Sequence, residues 1–206
     1  MVLAAVSLAG FSAAHALDLT PIHSFRELEG FKVPIISFQD GLRQVEWQPP
    51  RGWQLSGGDA QLNLYPANTQ LAAMQLKLIA HDAAQAPDST AAREDLLKWA
   101  AGFVAGDATD LAFDHEAPNP FILGGKGTRE LTFNYVSVAK KCTTSIALVN
   151  LDAKQSLAVV ITASAEDFPT VHGTGTKSMF RWDWVNKPLT AQDVAASNAG
   201  ASKPAR

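Results

Sequence analysis

Cysteine is nearly absent from this chain. Cys142 stands alone among 206 residues, so no intramolecular disulfide can form and the fold must stand on its packing. Basic side chains are missing from the opening stretch: the first Arg is Arg26, and nothing before His15 carries a charge near neutral pH. No run of Lys and Arg interleaves with aromatics, which removes the electrostatic footprint of a nucleic-acid binder. The apolar run at the start stops at Asp18, short of the about 20 residues that a bilayer span takes. Catalytic signatures are scarce too, with no His-x-x-x-His spacing and no Gly-x-Ser-x-Gly elbow.

What the opening does contain reads as an export signal. Val2 to Ala14 supplies an apolar core, and Ala14 and Ala16 place small residues at −3 and −1 of a cut before Leu17. The missing basic n-region points to a natural start upstream of Met1. The expectation is therefore a signal peptide over 1–16, a single domain over 17–189 and a C-terminal tail over 190–206, in a periplasmic or secreted protein whose mature chain has no transmembrane segment. A hydrophobic content of 47% and five Trp offer ample surface for a core, while 17 basic against 20 acidic residues give a net charge of −3 without a strong field.

Strand signals dominate the pass along the chain. After a short irregular lead, Phe31 to Phe38 and Arg43 to Trp47 flank Asp40-Gly41, a hairpin turn signal, and Pro49-Pro50 ends the second run. Strands are expected around Trp53 and Leu55, from Gln61 to Tyr65 after a turn at Gly57-Gly58, and from Ala72 to Ala80, where polar interruptions fall at period two. A helix is expected over Ala91 to Val104, with Leu96, Trp99 or Ala100, and Phe103 on one stripe and a cap at Asp88 or Ser89. The segment from Asp107 to Gly127 has no sustained period and reads as an elaborate loop or short edge strand. Three strands then follow, Glu130 to Ala139, Cys142 to Leu151 and Leu157 to Ala163, the last with the continuous apolar run of a strand covered on both faces. Ala165 to Met179 reads as a helix weakened by Gly173 and Gly175, and Arg181 to Trp184 as a final strand.

The Pro49-x-x-Gly52-Trp53 turn, the early antiparallel strands, the Ala-rich amphipathic helix, the three further strands and the closing helix together resemble the order of elements in the PsbP-like family of extrinsic photosystem proteins and its non-photosynthetic relatives. The resemblance covers Phe31 to Trp184. It implies an α+β fold, an antiparallel β-sheet covered by helices in an α/β/α sandwich, and a protein that binds another protein and catalyses nothing. Pro49, Gly52 and Trp53 are carried over as structural residues. The long Asp107 to Gly127 segment and the ending around Arg181 to Trp184 depart from the family pattern.

Candidate sites are few. Trp47, Trp53, Trp182 and Trp184 flank turns or chain ends, where indoles serve as packing lids or form the apolar floor of a groove for a protein or ligand. Asp114, His115 and Glu116, joined by His81, offer nitrogen and oxygen donors for a divalent metal if the fold gathers them. His172 with Glu166 or Asp167 forms a conceivable polarised pair, with Ser164 or Ser178 as nucleophile. Gly124 to Thr128 and Gly173 to Lys177 evoke phosphate loops but lack the four-residue spacer, so glycine turns are expected instead. The expectation is a non-enzymatic exported protein without cofactor, whose partner is a protein or cell-envelope component and not nucleic acid. A metal-assisted hydrolase is the alternative.

Overall fold

The computed structural model describes residues 17–41, 43–80, 93–118, 121, 123 and 129–186. The predicted signal segment, the helix cap at Asp88 or Ser89, the glycine turn at 124–128, the C-terminal tail and His81 lie outside the described residues.

Eleven strands and two helices follow one another in these residues: β1 (Leu17–Leu28), β2 (Phe31–Asp40), β3 (Arg43–Trp47), β4 (Trp53–Gly58), β5 (Gln61–Pro66), β6 (Ala73–Ala80), α1 (Arg93–Ala100), β7 (Thr109–Pro118), β8 (Arg129–Ser137), β9 (Lys140–Asn150), β10 (Gln155–Ser164), α2 (Phe168–Met179) and β11 (Trp182–Val185). They build two antiparallel sheets. The larger has the order β4-β5-β6-β10-β9-β8-β7, and the smaller β1-β2-β3-β11.

Two faces of the large sheet explain the two cores. On one parity, Leu76, Ala147, Val149, Val159 and Ile161 pack against Val171 and Met179 of α2 and against Phe38, Val45 and Trp47 of the small sheet. On the other, Leu131, Ile146, Leu148, Ala158 and Val160 enclose Leu96 and Ala100 of α1. Central β10 is buried from Ser156 to Ile161, as its unbroken apolar run requires. Cys142 is buried in β9, and desolvation pushes its thiol above its ordinary pKa. Strand outweighs helix: α1 has eight residues and α2 twelve. The protein is therefore β-rich, two antiparallel sheets with two short helices.

Several expectations shift on inspection. The lead before Phe31 is a twelve-residue strand, β1, and not irregular chain. A register shift between Asp18 and Ile22 breaks its alternation, which hides the pattern. The Asp107 to Gly127 segment contains a ten-residue edge strand, β7, whose two register shifts likewise erase a clean period. Its continuation returns Phe121 and Leu123 to the core. Gly57 and Gly58 belong to β4, and the chain turns at Asp59-Ala60.

The glycines of α2 do not break it. A Cβ at Gly175 would lie 2.9 Å from Ile161 Cδ1 and 3.3 Å from Met74 Sδ, so the absent side chain lets the helix seat directly on β10 and β6. Gly173 has nothing within 4 Å of the same position. We expect Gly175→Val to lower the free energy of unfolding by about 2 kcal/mol through overpacking. Gly173→Ala should instead raise it by about 0.5–1 kcal/mol through helix propensity and chain entropy. Urea unfolding of the two variants checks both signs, and equal effects would refute the close approach.

Candidate functional site

The C-terminal end of α2 is where the small sheet, the helix and the turn after β3 meet. Pro50, Arg51, Gly52 and Trp53 form that turn: the Trp53 N–H donates to the Pro50 carbonyl at 3.3 Å, and Gly52 sits at φ +79°. A positive φ at the third position is the requirement of a type II turn, which is why glycine stands there. Across from it, Thr174, Lys177, Ser178 and Arg181 recur at helical spacing along one side of α2 and its end. Between the two walls lies an open cleft of about 390 Å³. Arg181 donates from Nη1 to Gln48 Oε1, and both side chains line the cleft.

Gln48 and Arg181 also border a second groove of about 290 Å³, whose far wall is the β1–β2 hairpin. The hairpin outruns its sheet. β2 pairs with β3 only from Ile36 to Asp40, whereas pairing with β1 continues to Leu28 and Phe31. The first five residues of β2, Phe31 to Ile35, thus project with β1 as a two-stranded arm of about 17 Å at the usual rise per residue. Three of its apolar side chains are exposed, Phe25 at 67%, Leu28 at 51% and Phe31 at 74%, whereas Ile35 at its base is buried. By strand alternation Phe25 lies on one face, with Leu28 and Phe31 on the other.

Arg26 holds the arm to the sheet. Its guanidinium meets Glu46 of β3 at 2.8 Å and Asp183 of β11 at 3.0 Å, and these carboxylates, Glu46 first, raise its pKa above the ordinary value. Ser24 and Ser37 add a hydroxyl bond of 2.8 Å across the two strands.

The four candidate tryptophans divide. Trp47, Trp182 and Trp184 come together with Phe38, at centroid distances of 5.9 Å for Phe38–Trp47, 5.4 Å for Phe38–Trp182 and 6.1 Å for Trp182–Trp184. Trp47 and Trp182 are buried, at 0% and 5% exposure. Trp53 belongs to β4 of the other sheet and packs, partly exposed, on the edge of the same core. Trp184 donates its indole N–H to Asp40 Oδ2 at 2.9 Å.

Asp114, His115 and Glu116 lie exposed on β7. His115 Nδ1 and Asp114 Oδ2 stand 2.7 Å apart, while Glu116 meets Arg129 at 3.4 Å. Among the described residues no group of three or more His, Cys, Asp or Glu side chains is arranged to hold a metal ion. The polarised pair imagined around His172 exists with a different acid: His172 Nε2 lies 2.7 Å from Glu130 Oε1 on β8, and Phe168 stacks on the ring at 5.1 Å. Ser164 donates to Asp167 Oδ2 at 2.8 Å, and Ser178 Oγ to the Gly175 carbonyl at 2.7 Å. Both serines are thus engaged at the two ends of α2.

A third cavity, of about 310 Å³, opens beside the end of α1 over Gln75, Lys77, Thr162 and Tyr135. Burial pushes the Tyr135 hydroxyl up to about 12, so it remains a neutral donor there.

Arg51, Lys177, Arg181 and the arm phenylalanines were not singled out by sequence reasoning. The signal for Lys177 lay inside the Gly173 to Lys177 stretch set aside as a phosphate loop, since Thr174, Lys177, Ser178 and Arg181 share one helical side.

No family model matches the chain, and no curated protein matches its sequence. Among solved structures the chain is similar to cyanobacterial PsbP (CyanoP) from Synechocystis sp. PCC 6803, at 10% identity and TM-score 0.45 over 68% of this chain and 85% of that one. It is similar to PA94 from Pseudomonas aeruginosa, a protein of unknown function, at 12% identity and TM-score 0.41 over 77% and 94%. It is also similar to LpqN of Mycobacterium tuberculosis, which is involved in cell envelope biogenesis, at 13% identity and TM-score 0.43 over 71% and 86%. The resemblance to PsbP-like proteins is one of fold, and it transfers no residue role.

Removing the clamp should release the arm. Arg26→Ala is expected to cost about 0.5–1 kcal/mol, the scale of a part-exposed ion-pair network. Hydrogen exchange should quicken in Ile22–Leu28 and Phe31–Ile35 and stay unchanged in β9 and β10. Uniform acceleration throughout the sheets would contradict a local role.

Proposed function

We propose that this is an exported, non-enzymatic protein that associates with another protein or an envelope component through the β1–β2 arm. The observation that carries the reading is the arm itself. A two-stranded ribbon is marginally stable by itself, yet this one extends beyond its sheet with three large apolar side chains in solvent. Exposed apolar surface concentrated on a projecting element is the mark of a contact surface, and an unprotected one invites aggregation. Trp47 and Trp182 form the packed base from which the arm projects. The opening apolar run and its small-residue cut support export to the periplasm or beyond, and among the described residues no helix is long and apolar enough to cross a membrane. The helix-flanked, α/β/α description of the sheet belongs to the same proposal, with α1 on one face and α2 on the other.

The test is capture from the native envelope with purified mature protein and its Phe25→Ser, Phe31→Ser double variant. A partner that wild type retains reproducibly should be lost by at least about tenfold in the variant, as expected when apolar anchors are removed. Because both side chains are exposed, thermal unfolding should be unchanged. Equal capture by the two proteins would sink the arm as the contact surface.

The alternative, a metal-assisted hydrolase using His81, Asp114, His115 and Glu116, draws on the 2.7 Å contact of His115 with Asp114, since a carboxylate commonly orients a metal-binding imidazole. In that reading the mature protein takes up stoichiometric zinc or manganese, and His115→Ala releases it. Equilibrium dialysis decides: metal bound at less than one equivalent, or bound equally by the variant, disposes of the hydrolase.

A further inference from the structure

The cleft between the turn after β3 and the end of α2 has an unusual charge for this acidic chain. Arg51 stands on one wall, Lys177 and Arg181 on the other, and no carboxylate lines it. Three other cations are held by carboxylates: Arg26 by Glu46 and Asp183, Arg43 by Asp40, and Arg129 by Glu116. Among the described residues neither Arg51 nor Lys177 has an ion-pair partner, and Arg181 bonds the neutral amide of Gln48. The nearby acids in the adjoining groove, Glu46 and Asp183, are already held by Arg26.

A helix C-terminus favours cations, which accounts for Lys177 and Arg181 as partners of the dipole. It does not account for Arg51. That side chain comes from a separate segment, and the buried Pro50 and the positive φ of Gly52 fix the turn that presents it to the same space. Three cations converging from two elements, with Thr174 beside them and two proline rings as an apolar wall, make a site whose charge is complementary to a multivalent oxyanion. The volume exceeds what a bare ion needs and lies in the range of small-molecule sites.

The geometry points to this cleft as a recognition site for a phosphoryl group, with Arg51, Lys177 and Arg181 as its ligands. The proposal is independent of the arm. Its probes contain no protein partner, so either reading can fail without the other.

The experiment is an amide chemical-shift titration of the mature protein with inorganic phosphate and with sn-glycerol 3-phosphate, at constant ionic strength set with chloride. Saturable shifts are expected at Gly52, Trp53 and the amides from Thr174 to Arg181. An Arg51→Gln, Lys177→Gln variant should bind about tenfold more weakly, the scale of losing two part-exposed charge pairs. Lys154→Gln, on a distant turn, should match wild type. The substituted side chains are exposed, and an unchanged spectrum of the free variant verifies its fold. Vesicles of phosphatidylglycerol, compared with phosphatidylcholine, separate the sources: competition with free phosphate assigns a lipid headgroup, and its absence alongside phosphate binding assigns a soluble ester. Absent saturation, shifts equally produced by chloride, or an unweakened double variant would overturn the site.

Discussion

One carbonyl joins the parts of this molecule that face its surroundings. The oxygen of Ser178, in the last turn of α2, accepts the buried indole N–H of Trp47 at 3.1 Å and the backbone N–H of Arg181 at 3.1 Å. Terminal helix carbonyls lack intrahelical donors, and a buried one left unpaired costs about 1–3 kcal/mol. Satisfying it from β3 pins the small sheet to the helix, while satisfying it from Arg181 fixes the direction in which the chain leaves α2. The cleft and the groove on either side of Gln48 and Arg181 inherit their shapes from that one junction.

Where the helix sits is decided one turn earlier. Gly175 brings its backbone against Ile161 and Met74, the facing pair of β10 and β6. The cost of two glycines in a twelve-residue helix is about 1 kcal/mol each in propensity. Burial of Val171 and Met179 against the large sheet offsets it. The same seating leaves polar atoms beneath the helix. Ser145 Oγ on β9 and Thr176 Oγ1 on α2 are buried without a hydrogen-bond partner, and beside them the buried Glu130 is matched by His172. A helix held by close packing tolerates such atoms, because moving away would forfeit the apolar contact.

Much of this was legible in the sequence, and the failures have particular causes. Alternation exposed β3, β5 and β6, and the apolar run of Ala158 to Ile161 announced a strand covered on both faces. β1 escaped, and β7 read only as a loop or short edge strand, because register shifts break period two at Asp18–Ile22, Thr109–Ala112 and Phe113–His115. The β8–β9 turn carried no signal at all. Val138 and Ala139 both adopt positive φ, +48° and +56°, where Asn-Gly is the usual pair. What holds them there is remote: Asp107 accepts from Ser137 Oγ at 2.9 Å and from the Val138 N–H at 3.0 Å. Those bonds, the Ser137 hydroxyl first, also depress the Asp107 pKa. The turn's stabilisation is therefore present above the ordinary carboxylate pKa and is lost as pH falls through the lowered value.

The site was less legible than the fold, because its ingredients are ordinary one at a time. A Pro-x-x-Gly-Trp turn announces a bend and says nothing about what Arg51 will face. Lys177 and Arg181 near a helix end read as dipole partners. Their meaning changes only when β3 delivers the turn to the side of α2, a contact between residues more than a hundred positions apart in sequence. The arm shows the same dependence. Phe25, Leu28 and Phe31 look like core residues in a strand, and they become surface because β3 begins at Arg43 and stops at Trp47, too short to cover the ribbon that precedes it. Strand length, and not residue type, is what exposes them.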